Sequence, residues 1–253
     1  MKVFGSIYKK SIAVVVFLLI WEIAPRIGLV RSQYVPPFSQ VVAALGRMAA
    51  DGSLWKNVSA SLYRALAGYF LAILVGFPLG IALGWNKKVY EYINPLTTVL
   101  GQTSPLALMP LFMIIFGLGE SSKIAIIFWG CVWRILSSTM SGVSHVDPLL
   151  VKAARTMGAS RMYVLTRVVI PGAMPEIFPG ISGASSAALL MLVGAELLGA
   201  SKGLGFLITY SQQTFNIVNM YAAILMIAIL GTVASSLLKA LGNAILGWQK
   251  VNE

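Results

Sequence analysis

The sequence predicts an all-α, polytopic membrane protein with six transmembrane helices. Hydrophobic residues make up 58% of the 253 residues, charged residues only 11%, and the mean hydropathy is +0.83. Such a chain lacks the polar surface that a water-soluble domain needs. Six apolar segments each approach the roughly 20 residues that cross a bilayer as a helix. No alternation of apolar and polar residues indicates a β-barrel, the other structure that pairs its backbone groups in lipid.

The six apolar segments are expected to be the transmembrane helices. They cover residues 11–30, 62–84, 96–118, 123–143, 178–198 and 218–240. Lysines precede the first segment as in a signal peptide, but no small-residue cleavage pattern follows, so we interpret it as a retained anchor. Pro105 and Pro110 predict a kink in the third segment. We expect two domains, with residues 1–60 holding the anchor and an outer-surface segment, and residues 61–245 forming the transmembrane core.

The first long loop, residues 31–61, is expected to hold a helix of its own. After the break at Pro36 and Pro37, apolar residues recur at helical spacing, and they are Val41, Val42, Leu45 and Met48. This pattern predicts a short amphipathic helix lying at the outer membrane surface.

The basic charge of the chain, 19 Lys and Arg against 8 Asp and Glu, is attributed to membrane topology rather than to nucleic-acid binding. Lys and Arg are retained on the cytoplasmic side during insertion. With both termini inside, eleven cations fall on the inner side: Lys2, Lys9, Lys10, Lys87, Lys88, Lys152, Arg155, Arg161, Arg167, Lys239 and Lys250. Seven fall outside: Arg26, Arg31, Arg47, Lys56, Arg64, Lys123 and Lys202. The excess predicts both termini in the cytoplasm.

The inner loop 144–177 predicts two short helices joined by a tight turn. Asp147 is a carboxylate N-cap ahead of a proline at the first helical position. Gly158 suits the left-handed turn that ends a helix, and Ser160 can cap a second helix, which Pro171 ends. Both helices are too short to cross the membrane.

The first of these two helices is predicted to carry a narrow apolar face. That face consists of Leu150, Ala153, Ala154 and Met157. The cations Lys152 and Arg155 lie off it. Two interpretations stay open, because such a helix can rest on anionic lipid at the membrane surface or dock against a protein partner.

An alanine pair, a glycine and a proline-rich stretch follow one another in this loop. They are Ala153-Ala154-Arg155, Met157-Gly158-Ala159-Ser160, Ile170-Pro171-Gly172-Ala173-Met174-Pro175 and Gly180. In order and spacing, these residues resemble the EAA signature of binding-protein-dependent importer permeases. One departure is Lys152, which stands where the signature usually has a glutamate and so reverses a charge.

Motifs elsewhere in the chain narrow the resemblance. They are Tyr34-Val35-Pro36-Pro37, the stretch Ser59 to Arg64, the stretches Pro105 to Leu111 and Phe116 to Ile124, and Ala195-Glu196 followed by Gly203 to Ile208. These motifs are similar to the nitrate, sulfonate, taurine and bicarbonate permease group. Arg134 departs from the group, which tends to carry a proline and no charge in the fourth span.

The resemblance implies a type I ATP-binding-cassette importer fold of the MetI-like kind in a prokaryotic plasma (inner) membrane. Two copies would form the pathway, ATPase subunits would dock on the coupling loop 147–175, and an extracytoplasmic binding protein would deliver a small solute. The coupling residues that the resemblance implies are Lys152, Ala153, Ala154, Arg155, Gly158, Ala159, Ser160 and Pro171. Look-alike permeases handle nitrate, sulfonates, taurine, bicarbonate and vitamin precursors. Membrane lipid is the surrounding partner, and no cofactor is implied.

Other classes of function are less well supported. A secondary transporter driven by an ion gradient, the alternative, should show an inverted repeat and paired intramembrane carboxylates. The sequence offers one candidate carboxylate and no convincing repeat. A membrane enzyme is disfavoured because no P-loop, no G-x-S-x-G motif and no catalytic cluster occurs. No metal site is expected, since His145 has no second ligand nearby.

Four intramembrane residues are candidates for the translocation path: Arg134, Ser185, Ser186 and Glu196. An ionised carboxylate is costly in an apolar segment, so Glu196 is expected to be functional, the competing interpretation being that it is solvated at the outer end of the fifth span. Arg134 either attracts an anion in the path or is a structural partner of Glu196 or of helix carbonyls. The small residues around Ser185 and Ser186 predict tight helix packing, and the resemblance adds that this helix borders the path.

Overall fold

The computed structural model describes residues 2–247, and within this range every regular element is helical. The helices are α1 (Lys2–Arg26), α2 (Phe38–Ala50), α3 (Ser53–Gly84), α4 (Lys87–Gln102), α5 (Met109–Phe116), α6 (Glu120–Ser144), α7 (Pro148–Thr156), α8 (Arg161–Val164), α9 (Ile170–Leu197), α10 (Leu204–Gln213) and α11 (Ile217–Ile245). A π-helical segment, Leu165–Val169, joins α8 to α9. The all-α fold class is confirmed. Lys250, counted above on the inner side, lies outside the described residues.

Four helices in the described range are long and apolar enough to cross a membrane. They are Ser53–Gly84, Glu120–Ser144, the continuous run Arg161–Leu197, and Ile217–Ile245. They overlap the predicted second, fourth, fifth and sixth segments. A multi-pass membrane protein is therefore supported, whereas the predicted count of six spans is not confirmed.

The predicted third segment, 96–118, is wrong as a single helix. α4 ends at Gln102, α5 begins at Met109, and the backbone between them is irregular. Pro105 lies in this break, and a proline removes a backbone donor and clashes with the preceding turn. Pro110 is tolerated because it lies in the first turn of α5, where a missing N–H leaves no bond unmade. The kink predicted from these prolines is thus a complete interruption.

The amphipathic helix predicted in the loop 31–61 is confirmed as α2, which packs against α1. The Ser39 N–H donates to Glu22 Oε2 at 2.9 Å, and the Ser39 hydroxyl donates to Glu22 Oε1 at 2.9 Å. The buried face of α2 consists of Val41, Ala44 and Met48. Val42 and Leu45, which were expected on that face, are exposed and half-buried respectively.

Contacts within the described range group the chain into two units. One comprises the residues up to Ala60 together with Ser201–Ile229, and the other comprises Ser61–Ala200 together with the residues from Leu230 onward. In the second unit, α6 and α9 run antiparallel and share an apolar core. Its buried members include Ile127, Cys131, Ile135, Ala184, Ala188 and Leu192. The two-domain division expected from the sequence stays a prediction.

α3 packs closely on α6 along a ladder of small residues at every fourth position. The ladder consists of Gly68, Ala72, Gly76, Gly80 and Gly84. A Cβ added at Gly80 would lie 2.5 Å from Thr139 Cβ, and one added at Gly84 would lie 2.6 Å from the Met140 carbonyl oxygen. Small residues at this spacing let two helices approach closely in lipid. The α3–α6 contact therefore has no room for an additional methyl group at these positions.

We expect Gly80→Ala to destabilise the protein by about 1–3 kcal/mol, because the added methyl overpacks the contact with Thr139. The measurement is the unfolding temperature of the purified protein in detergent. Gly46→Ala is the matched control, since Gly46 lies in helix α2 and an added Cβ there meets no atom within 4 Å. An unfolding temperature for Gly80→Ala at or above that of the wild type would contradict the close packing.

Candidate functional site

The segment 147–175 folds as two short helices with a tight turn, as its capping residues predicted. Asp147 Oδ1 accepts a hydrogen bond from the Leu149 N–H at 2.8 Å, and this bond caps α7. Gly158 has φ +81°, in the left-handed region that glycine adopts without strain. Ser160 Oγ accepts from the Tyr163 N–H at 3.3 Å and so caps α8. The local structure of this segment is therefore set by residues within it.

The buried face of α7 differs from the predicted one. Val151 and Ala154 are half-buried against an apolar cluster. The cluster consists of Val143, Val164, Val169, Ala173 and Ile177. Of the four residues predicted to form the apolar face, only Ala154 packs inward, while Leu150, Ala153 and Met157 are exposed. α7 thus packs on α8, on the π-helical segment and on this apolar cluster, and it presents exposed apolar side chains.

Cations surround these exposed apolar side chains. Leu149, Leu150 and Met157 are 70%, 54% and 87% exposed. Lys152 and Arg155 on the same helix are also exposed. A surface that mixes large apolar side chains with basic ones is typical of an interaction site rather than of a helix facing water.

The prediction that Pro171 ends the second helix is wrong. The helix continues from Arg161 to Leu197, and Pro171 lies in the first turn of α9. The π-helical segment Leu165–Val169 directly precedes this proline. A π turn changes the register of the hydrogen bonds, so that the helix accommodates a residue without an N–H. The segment 147–175 therefore leads into a membrane-spanning helix without a break.

A buried ion cluster joins α3, α6 and α9 in the second unit. Arg64 Nη1 lies 2.6 Å from Glu196 Oε1, and Arg64 Nη2 lies 2.8 Å from Glu120 Oε1, while Arg64 Nε also contacts Glu120. The Ser61 hydroxyl donates to the Glu196 carboxylate, 2.8 and 2.9 Å from its two oxygens. The side chains of Arg64, Glu196 and Glu120 are 1%, 0% and 41% exposed. One guanidinium thus connects a fully buried carboxylate to one that reaches the surface.

The structure gives the surroundings of three charged residues that the sequence analysis singled out. Arg64, which the sequence analysis counts among the outer cations, is buried within helix α3. Glu196 is not solvated at a helix end, because it is 1% exposed and paired with Arg64. Lys123, also counted among the outer cations, is 3% exposed and donates from Nζ to the Leu118 and Gly119 carbonyls at 3.1 and 3.0 Å. Hydropathy placed the start of the span at residue 62, whereas α3 begins at Ser53.

Arg134 lies away from this cluster, against a glycine of α9. A Cβ added at Gly183 would lie 3.3 Å from Arg134 Nε and 3.5 Å from Cζ. Gly183 precedes Glu196 by 13 residues, or about 20 Å of helix. The suggestion that Arg134 is the partner of Glu196 is therefore wrong. A cation at the centre of a span costs about 2.5–3.5 kcal/mol by insertion scales, so its position requires a partner or water.

The two serine candidates differ in their surroundings. The Ser185 hydroxyl is half-buried and donates to the Ser182 carbonyl at 2.7 Å, a bond within α9 itself. Ser186 is exposed and lies one turn beyond Gly183. Ser186 follows Gly183 by three residues, about 4.5 Å of helix, whereas Glu196 follows it by 13 residues.

Sequence reasoning missed a polar contact at the inner loop. Ser141 donates to Glu176, and its hydroxyl also lies 3.2 Å from His145 Nδ1. Glu176 Oε1 is 3.6 Å from His145 Nδ1. The four-residue spacing of Ser141 and His145 can be recognised in the sequence. The position of Glu176 beside them cannot, because it depends on how α9 packs on α6.

Comparison with known proteins identifies sequences similar to this chain. The model of the binding-protein-dependent transport system inner membrane component family matches residues 72–247. The taurine transport system permease protein of Escherichia coli (strain K12) is 34% identical over 238 residues, covering 92% of this chain and 86% of the relative. A putative aliphatic sulfonates transport permease protein of Bacillus subtilis (strain 168) is 30% identical, covering 94% and 86%. The nitrate import permease protein of Leptolyngbya laminosa is 28% identical, covering 77% and 70%.

Solved structures show the same fold at lower sequence identity. An inward-facing structure of the MetNI methionine ABC transporter gives a TM-score of 0.68 at 17% identity and covers 78% of this chain and 98% of the matched chain. A bacterial ABC transporter involved in the import of alginate gives 0.58 at 16% identity and covers 97% of each chain. The fold is therefore that of a MetI-like importer permease.

Proposed function

The chain belongs to the family of binding-protein-dependent transport system inner membrane components, and we propose that it carries small oxyanionic solutes of the taurine, sulfonate and nitrate kind across the membrane. It is the permease subunit of an ATP-binding-cassette importer, a multi-pass membrane protein that is not itself an enzyme. Such a permease works with ATPase and binding-protein partners. The solutes named for its relatives share one chemical group, a monoanion with three oxygens on a central atom.

The single observation that carries the proposal is the surface of α7. Its exposed apolar and basic side chains offer an ATPase subunit a contact, in which Met157, at 87% exposure, is the most prominent residue. We place this surface in the cytoplasm, with both termini on the same side, because Lys152 and Arg155 belong to the larger group of cations. Lys152 takes the position of the usual glutamate, so an acidic group on the ATPase is its expected contact.

Movement of α7 would reach the membrane by direct packing. Val151 and Ala154 contact the apolar cluster in which α8 and the π segment meet residues of α6 and α9, and α8 continues through the π segment into α9. Because both connections are made by packed helices, a displacement of α7 by the closing ATPases tilts α6 and α9 together. The ladder on α3 and the ion cluster tie α3 to α6 and α9, so these three helices move as one body.

A second copy of the chain would complete the pathway. Large apolar side chains remain exposed on the described helices, among them Leu74 at 70% and Ile114 at 82%, and these require lipid or a partner subunit. We propose six spans per copy, with α1 and the interrupted pair α4 and α5 added to the four long helices.

The test is uptake of labelled taurine into proteoliposomes that contain this chain, its ATPase and its binding protein. Uptake is expected only when ATP is supplied on the ATPase side, and an ATPase variant without its P-loop lysine is expected to abolish it. Uptake by the purified chain alone under a proton or sodium gradient would overturn the proposal in favour of a secondary transporter. Sulfonates and nitrate are added as competitors, and those that lower the uptake of labelled taurine belong to the transported class.

A further inference from the structure

Arg134 occupies the middle of a membrane-spanning helix. It is the fifteenth of the 25 residues of α6, which places it about 21 Å along the axis from Glu120 and about 15 Å from Ser144. Neither end of the helix is within reach of its side chain. The guanidinium is therefore held at the depth where a permanent charge is least tolerated.

No hydrogen bond or ion pair to the Arg134 side chain occurs among residues 2–247. Two glutamates of the same helices already have other partners. Glu196 is paired with Arg64, and Glu176 accepts a hydrogen bond from Ser141. Arg134 is nevertheless exposed in the single subunit. An accessible arginine at this depth, without a partner in its own chain, is typical of a residue that faces a water-filled cavity.

The neighbourhood of Arg134 leaves the guanidinium open on one side. Gly183 has no side chain, so the Arg134 Nε and Cζ atoms can pack against the backbone of α9, while the arginine as a whole stays exposed. The exposed hydroxyl of Ser186 follows one turn later on the same helix. On α6 itself, the indole N–H groups of Trp129 and Trp133 are buried and find no acceptor among the residues that the structure describes. Donors thus outnumber acceptors in this part of the bundle.

We propose that Arg134 is the residue that binds the oxyanionic group of the solute at the membrane midplane, with the Ser186 hydroxyl as a second donor. This inference rests on the proposed function and deepens it. A guanidinium presents two parallel N–H donors that match two oxygens of a sulfonate or a nitrate. Gly183 lets the guanidinium lie against the backbone of α9, where a larger side chain would displace it.

The test uses a cysteine at Ser186 as a reporter of the local charge. Cys131 is the only cysteine of the sequence, and Cys131→Ser keeps a donor for the Ala184 carbonyl that Sγ contacts at 3.3 Å. In this background, Ser186→Cys is modified with an anionic 2-sulfonatoethyl and a cationic 2-trimethylammonioethyl methanethiosulfonate. The ratio of the two rates is expected to fall at least tenfold on adding Arg134→Gln. Arg134→Lys is expected to keep most of the rate ratio measured with Arg134. Arg47→Gln, which removes an exposed arginine of α2, is expected to leave the ratio unchanged.

Taurine, ethanesulfonate or nitrate at millimolar concentration should slow the modification when Arg134 is present and not when glutamine replaces it. A rate ratio that Arg134→Gln leaves unchanged would overturn the inference, and so would a thiol that reacts only after denaturation. This assay needs neither ATPase nor binding protein. ATP-dependent uptake that persists alongside an unchanged ratio would therefore refute the role of Arg134 and leave the proposed function intact.

Discussion

Replacing Arg64 with methionine is expected to remove most of the folded, membrane-inserted protein. The substitution places an apolar side chain where the guanidinium met the fully buried carboxylate of Glu196. Breaking a buried pair from one side costs about 3–5 kcal/mol, against a total stability of roughly 5–15 kcal/mol for a domain. The measurement is the yield of monodisperse protein after detergent extraction, together with the unfolding temperature of the remainder.

A second substitution separates the loss of the pair from a general failure to fold. Arg64→Met combined with Glu196→Met is expected to recover most of the yield, because two apolar residues of similar volume often replace a buried pair at little cost. Glu120 is 41% exposed and keeps its hydration in the double variant.

An exposed ion pair of the same chain provides the control. Arg26 Nη2 lies 2.5 Å from Glu22 Oε1, and the Arg26 side chain is 62% exposed. Solvent screens such a pair, so Arg26→Met should leave the stability nearly unchanged. If Arg64→Met were as stable as Arg26→Met, the cluster would not hold α3 to α6 and α9.

The features that the sequence predicted are those that neighbouring residues determine. Asp147, Gly158 and Ser160 fix the turns of the segment 147–175 through hydrogen bonds to residues two or three positions away. The apolar runs of α6, α9 and α11 fix long helices because the backbone must pair with itself in lipid. Capping residues and apolar runs can each be recognised within a short stretch of sequence.

The features that it missed depend on distant residues. Arg64 and Glu196 are separated by 132 positions, so no local pattern in the sequence indicates that they form a buried ion pair. Pro171 was expected to end a helix, yet the π turn before it lets the helix continue. In both cases tertiary packing decided between structures that the local sequence permits.

Replacing Gly158 with proline is expected to lower ATP-dependent uptake at least tenfold while ATP hydrolysis by the docked ATPase continues. Gly158 has φ +81° and donates its N–H to the Arg155 carbonyl at 3.0 Å. Proline fixes φ near −65° and has no N–H, so the turn between α7 and α8 cannot close. As a result, the turn no longer holds Ala154 against the apolar cluster. Force applied to α7 would be absorbed in the turn before it reaches α6 and α9.

The matched control is Gly28→Pro, since Gly28 has φ +77° and also donates its N–H to a carbonyl, that of Pro25, at 3.4 Å. It carries the same backbone penalty outside the segment 147–175, so a general loss of stability would affect both variants equally. Uptake and hydrolysis are measured on the same proteoliposomes, and their ratio is compared between the two variants. Equal ratios would show that the turn at Gly158 does not transmit the motion. A lower ratio for Gly158→Pro alone is the result that a mechanical connection between ATPase and membrane helices requires.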